Sequence, residues 1–241
     1  MQSTEPSLGL VIQGFTPPLK LKDFKLIAFD MDSTLINIEC VDEIADAAGR
    51  KAEVAAITEA AMQGIITDFK DSLRRRVALL EGVSVASMEE VYTQRLRINP
   101  GAKELIDTCK AAGMKVLLVS GGFTFFADRV QERLGIDFAR ANVLEVQDGL
   151  LTGKLVNQPW GDICDGEEKR RMLLATCADL GITPGQAIAM GDGANDLPMM
   201  QACADAGGLS VAYHAKPKVR EQAMVAINSG GLDRLLEVLV A

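Results

Sequence analysis

Three short apolar runs, each stopping at a small polar cluster, limit what this chain can fold into. Lys25–Phe29, "KLIAF", stops at Asp30. Lys115–Val119, "KVLLV", stops at Ser120-Gly121-Gly122, and Gln186–Met190, "QAIAM", stops at Gly191-Asp192-Gly193. Apolar runs without polar alternation suit strands covered on both faces. Helical spacing follows the second and third runs, in "FTFFADRVQERLG" and "LPMMQACADAG", and "LSVAY" and "MVAI" read as two further strands. Strands alternating with helices make a doubly wound α/β fold with a parallel sheet. Ligands of such sheets sit beyond the C-terminal strand ends, near the point where strand order reverses. Asp30, Ser120 and Asp192 all fall at that end.

Residues 39–97 separate the first two of these strands, far more chain than a crossover needs. Ala, Glu, Ile and Leu recur there at helical spacing, with Gly49, Gly64 and Gly82 as breaks. The segment is expected to be an inserted helical cap over the strand ends, with 1–38 and 98–241 forming the α/β core. "ANVLEVQDGLLTGKLVN" reads as a hairpin turning at Asp148-Gly149. Pro17 and Pro18 suggest an extended lead-in before the first strand.

Charge narrows the partners. The chain carries a formal −8 and has no basic tract beyond Arg74, Arg75 and Arg76. That argues against nucleic acid or an anionic membrane as the main partner. No stretch approaches the ~20 apolar residues of a membrane span, and the N-terminus lacks the basic start and apolar centre of a secretory signal. Five cysteines occur without a CxxC pair, which fits reduced thiols. The expectation is a soluble cytoplasmic protein acting on a small molecule.

Asp30 and Asp32 pose an electrostatic problem, because like charges at close range resist joint ionisation. A hard divalent cation resolves it. Mg²⁺ takes oxygen ligands and keeps room for water and a substrate phosphate. Asp192 and Asp196 would face Asp30 across the same mouth, and Asn195 adds an amide. Ser120, Gly121 and Gly122 read as the start of a helix whose amides and hydroxyl form an anion site. Blander readings exist for each: paired acids as a turn, Ser120 as an N-cap, Lys169 as one surface charge. His214, the only histidine, reads as structural, and Trp160, Phe125 and Phe126 as packing. Successive helical positions point ~100° apart, so at most one of the three arginines enters a site.

"FDMDSTLINIECVDEIADAAG", "SGGFTFF", "EEKRRML" and "GDGANDLPMM" together resemble the phosphoserine phosphatases of the haloacid dehalogenase superfamily. The likeness runs from about Lys25 to the C-terminus and includes the cap. It implies a Rossmann-like core, with Asp30 as nucleophile and Asp32 as general acid and base. Mg²⁺ would be held by the Asp30 carboxylate, the Asp32 backbone carbonyl and the Asp192 carboxylate, with Asp196 nearby. Ser120, Gly121 and Lys169 would grip the phosphoryl group, helped by Asn195. Glu39 and Arg76 would hold the amino and carboxylate ends of O-phospho-L-serine, whose hydrolysis is the last step of serine biosynthesis. A monomer or homodimer is expected. One alternative is the same fold acting on another small phosphomonoester, or passing the phosphoryl group to an acceptor alcohol. A signalling receiver module also uses acids, Mg²⁺, a lysine and a phosphorylated aspartate. It has no need of a second acid or a cap.

Overall fold

The computed structural model describes residues 8–62 and 65–240. Gly64, one of the expected helix breaks, lies outside the described residues. The strands are β1 (Leu10–Ile12), β2 (Leu19–Lys20), β3 (Leu26–Phe29), β4 (Lys115–Phe123), β5 (Phe138–Gln147), β6 (Leu150–Val156), β7 (Ala187–Gly191), β8 (Leu209–Tyr213), β9 (Val225–Ile227) and β10 (Leu239–Val240). Eight form one sheet in the order β1-β9-β8-β7-β3-β4-β5-β6. The six from β9 to β5 are parallel, while β1 and β6 close the two edges antiparallel. Among these six, the first in the chain is β3, and the order reverses between it and β7. This is the doubly wound, Rossmann-like arrangement, and its switch point lies between the strands that end at Asp30 and Asp192.

The helices are α1 (Cys40–Ala47), α2 (Lys51–Met62), α3 (Phe69–Ala78), α4 (Val85–Glu90), α5 (Ala102–Ala111), α6 (Thr124–Leu134), α7 (Gly166–Asp179), α8 (Leu197–Asp205) and α9 (Pro217–Gln222). Alternation along β3 shows how the layers form. Ile27 and Phe29 join a cluster with Leu105 and Ile106 of α5 and Phe126 and Val130 of α6. Leu26 and Ala28 join another with Leu173 of α7, Met199 and Met200 of α8 and Val219 of α9. Helices therefore cover both faces, which is why β3 and β7 lack polar residues.

The first four helices fill the long connection between β3 and β4. Its entry and exit are zipped together: Ile36 bridges Ile98, Asn37 N–H donates to the Arg97 carbonyl at 3.0 Å, and Asn99 N–H to that of Leu35 at 2.9 Å. The segment thus leaves and returns through one stem. Its buried residues, among them Ile44, Leu73, Val77 and Leu80, belong to the same apolar cluster as Phe29. Ion pairs tie α3 to the loop before α7, with Lys70 Nζ 2.7 Å and Arg74 Nη2 2.5 Å from Asp162.

One expectation changes and one holds. The N-terminal lead-in is built into structure, because β1 pairs with β9 and β2 with β10. Such short strands have no sequence pattern of their own and exist through their partners. The hairpin does turn at Asp148 and Gly149, both at positive φ (51° and 77°), as a tight two-residue connection needs.

Candidate active site

Register places the acids. Phe29 of β3 pairs with Met190 of β7, so the next residues of both chains emerge side by side at the switch point. Oxygens of Asp30, Asp192 and Asp196 lie within 4.8 Å of one another. Lys169 reaches them from the first turn of α7, with its Nζ 2.6 Å from Asp30 Oδ1 and 2.6 Å from Asp196 Oδ1. It is wholly buried, so its charge is retained by these partners. Burial works against that charge, the two carboxylates outweigh it, and the ammonium pKa is raised.

Asp196 is used up by the protein. Its Oδ2 accepts the N–H groups of Asp192 at 3.1 Å and Gly193 at 2.9 Å, and its Oδ1 accepts Lys169. A Cβ on Gly191 would sit 2.3 Å from Asp196 Cγ, so only glycine lets this loop close. Asp30 and Asp192 are less committed: Asp192 Oδ1 accepts the Thr34 hydroxyl at 3.3 Å, and Asp30 has only Lys169 as a side-chain partner among the described residues. Burial, then the charge of Asp196, holds the Asp30 carboxyl well above its ordinary range, with Lys169 opposing. Burial first, then Asp196 and Glu39, pushes Asp192 up to about 7. Acids so crowded are short of positive charge, and a divalent cation held by Asp30 and Asp192 fits that deficit.

Asp32 faces another way. Met31–Leu35 closes into a single turn as soon as β3 ends, so the segment is not continuously extended. Asp32 Oδ1 accepts the Cys40 thiol at 3.0 Å and its Oδ2 the Cys40 N–H at 3.3 Å. Burial, then the neighbouring Glu39 carboxylate, pushes its carboxyl up to about 7, while the Cys40 bonds oppose. A carboxyl near neutrality can both give and take a proton.

These shifts fix a stability trend. Asp32 and Asp192, near 7 in the fold against an ordinary 3.8, hold protons that the unfolded chain has already lost. Without metal, stability is therefore expected to fall as pH rises from about 4 to about 7. Melting curves in EDTA should show that fall, and Mg²⁺ should flatten it by stabilising the ionised acids. An EDTA melting temperature that rises across the same interval would contradict the shifts.

The expected anion site takes a different form. β4 runs on to Phe123 and α6 begins only at Thr124, so Ser120, Gly121 and Gly122 belong to a strand end and not to a helix start. The pairing register with β5 slips between Val119 and Phe123, which frees this stretch from a regular ladder. Ser120 is buried, and its Oγ accepts the Gly122 N–H at 2.9 Å. A Cβ on Gly121 would sit 3.0 Å from Phe69 Cζ, and one on Gly122 3.0 Å from Asp32 Oδ2. The two glycines thus let the strand end, α3 and Asp32 approach one another. Asn195 is half-buried beside Gly193.

On the helical side, Glu39 is exposed just before α1 and its Oε1 accepts the Ser33 hydroxyl at 2.6 Å. Of the three arginines, Arg74 pairs with Asp162 and Arg75 with Asp71. Arg76 is half-buried, and its Nε is buried with no hydrogen-bond partner among the described residues. Asp42 stands next to it electrostatically, with a buried and unpartnered Oδ1 of its own. An unpaired buried donor is costly, so Arg76 has hydrogen-bonding capacity left over. His214 bonds the Gly230 carbonyl at 2.9 Å and stacks on Tyr213 at 4.3 Å, as a structural residue would.

Two residues escaped the sequence. Thr34 supports Asp192, and Asn142, buried, donates to the Gly121 carbonyl at 2.7 Å and accepts from the Cys164 N–H at 2.8 Å. A polar side chain inside a strand-like run was the available signal for Asn142.

A buried lysine between carboxylates at the switch point of a doubly wound sheet defines a class. The chain belongs to the haloacid dehalogenase-like hydrolases, whose family model matches residues 27–201. Within them it sits among the phosphoserine phosphatases. It is 76% identical over 239 residues to the phosphoserine phosphatase of Polaromonas sp. (strain JS666 / ATCC BAA-500), covering 99% of this chain and 100% of that one. It superposes with a TM-score of 0.81 on a phospho-aspartyl intermediate analogue of phosphoserine phosphatase, at 39% identity over 90% of this chain and 99% of that one. A substrate-bound phosphoserine phosphatase complex gives the same TM-score of 0.81 at 38% identity, covering 90% and 99%.

Proposed function

We propose that this chain hydrolyses O-phospho-L-serine to L-serine and phosphate through a phosphoenzyme formed on Asp30. The observation that carries the reading is Lys169, buried and shared between Asp30 and Asp196 at 2.6 Å each. It gives the attacking carboxylate a fixed direction and leaves a positive charge where phosphoryl oxygens arrive. Asp30 forms the new P–O bond, and the serine oxygen departs with a proton from Asp32. Asp32 then takes a proton from the water that cleaves the acyl phosphate. The likeness to a phospho-aspartyl analogue supports that order. Ser120, the Gly121 amide, Lys169 and Asn195 grip the phosphoryl oxygens, while Glu39 and Arg76 receive the ammonium and carboxylate of serine.

Mg²⁺ held by Asp30, Asp192 and the Asp32 carbonyl would neutralise charge on the transferring group. Residues 39–97 act as a cap that closes on substrate, excluding all but one water. Among the described residues, no helix is long and apolar enough to cross a membrane, and the substrate is a small molecule. The test is phosphate release from a panel of phosphomonoesters, with Mg²⁺ and with chelator. Phosphoserine should be preferred, and EDTA should abolish turnover that added Mg²⁺ restores. Full activity after exhaustive chelation would remove the metal site from the reading.

A further inference from the structure

We infer that Asn142 is a positioning residue that sets the spacing between the two arms gripping the phosphoryl group. One arm is Ser120-Gly121 at the end of β4. The other is Lys169, one turn into α7. Asn142 is 1% exposed and spends both ends of its carboxamide on backbone, Nδ2 on the Gly121 carbonyl at 2.7 Å and Oδ1 on the Cys164 N–H at 2.8 Å.

Each bond lands where the main chain has no regular support. The β4–β5 ladder slips between Val119 and Phe123 and resumes with Phe123 opposite Asn142, so the Gly121 carbonyl is met by a side chain in place of a strand. Cys164 immediately precedes Asp165, whose side chain caps α7 and whose carbonyl accepts the Lys169 N–H at 2.9 Å. A continuous path thus runs from Gly121 through Asn142 and Cys164 to Lys169. The two segments also run close together, since a Cβ on Gly121 would lie 3.5 Å from the Cys164 carbonyl oxygen. One carboxamide therefore holds together two elements that reach the site from different strands. Its loss would let them separate, acting first on the phosphoryl grip and reaching Arg76 only indirectly, through the packing of α3.

The inference rests on the reading that Ser120, Gly121 and Lys169 bind phosphoryl oxygens, and the experiment separates the two. Product inhibition by inorganic phosphate and by L-serine is measured in Mg²⁺ buffer for Asn142→Ala, Asn142→Leu and Ser120→Ala. The same proteins are assayed on O-phospho-L-serine and p-nitrophenyl phosphate. The leucine variant removes both bonds while keeping the volume, so that the fold is retained. Both Asn142 variants should bind phosphate about tenfold or more weakly, and lose kcat/KM on both substrates by a similar factor of about 10–10². Inhibition by serine should stay in place. If folded Asn142 variants keep wild-type phosphate inhibition while Ser120→Ala loses it, the bridge has no positioning role. Serine and phosphate inhibition weakening together, or neither variant folding, would likewise overturn it by making Asn142 a requirement of the scaffold. Unchanged phosphate inhibition in Ser120→Ala would overturn the underlying grip, and this inference with it.

Discussion

Asp30→Asn is expected to abolish turnover and leave no phosphoenzyme, whereas Asp32→Asn keeps a measurable residue of activity. The two acids share a loop, yet the structure gives them different surroundings. Asp30 is aimed by a 2.6 Å bond to a wholly buried lysine and stands beside Asp192 and Asp196. Replacing its nucleophilic oxygen by an amide removes the atom that must bond to phosphorus, and no neighbour can substitute. Asp192 follows the end of β7 and lacks the lysine that aims Asp30, and both oxygens of Asp196 are already occupied. Among the described residues the Asp32 carboxylate hydrogen-bonds only Cys40, and its carboxyl is pushed up to about 7. Its amide variant keeps shape and loses proton transfer, a loss of typically ~10²–10⁴-fold. Rapid-quench trapping with labelled phosphoserine separates these outcomes. Acid-stable, base-labile label on the Asp30→Asn protein would refute the nucleophile.

Much of this arrangement was legible because burial on both faces leaves a plain record. "KLIAF", "QAIAM" and "LSVAY" are strands because every side chain in β3, β7 and β8 is covered, so apolar runs mark them without help from periodicity. The acids stood out for the opposite reason, as charges at the ends of such runs. Ser120-Gly121-Gly122 was misread because small turn residues announce a helix start and an irregular strand end alike. Only the partner strand β5, and Asn142 on it, decides between them. Asp196 was placed near the metal, but the loop amides and Lys169 that occupy it are brought together by tertiary folding. Helical geometry lets at most one of Arg74, Arg75 and Arg76 enter a site, and the resemblance singles out Arg76. Asp71 engages Arg75 at helical i,i+4 spacing, which the sequence already carries, whereas Asp162, which engages Arg74, is brought in only by tertiary folding.

That division among the arginines leads to a test of the substrate. The serine part of phosphoserine carries an ammonium beside a carboxylate, and burial under closing helices demands a partner for each. Arg76 offers a half-buried guanidinium whose Nε has no partner among the described residues, and its planar fork suits a carboxylate. Glu39 stands at the start of α1, held only by the Ser33 hydroxyl, where an ammonium can join it. Leaving one charge of the substrate unpaired on burial costs roughly 3–5 kcal/mol, several hundredfold and upward. Arg76→Ala and Glu39→Gln are therefore expected to lower kcat/KM for L-phosphoserine by at least ~10²-fold. p-Nitrophenyl phosphate has neither group, and its hydrolysis should change by less than about tenfold. Arg74→Ala is the matched control, since it removes a neighbouring cation already paired with Asp162, and it should spare the ratio between the two substrates. Equal losses on both substrates in the Arg76 and Glu39 variants would mean that these side chains serve the phosphoryl centre or the fold. The selectivity for phosphoserine would then have to be sought elsewhere under the helices, with the Asp42 carboxylate beside Arg76 as the next charge to change.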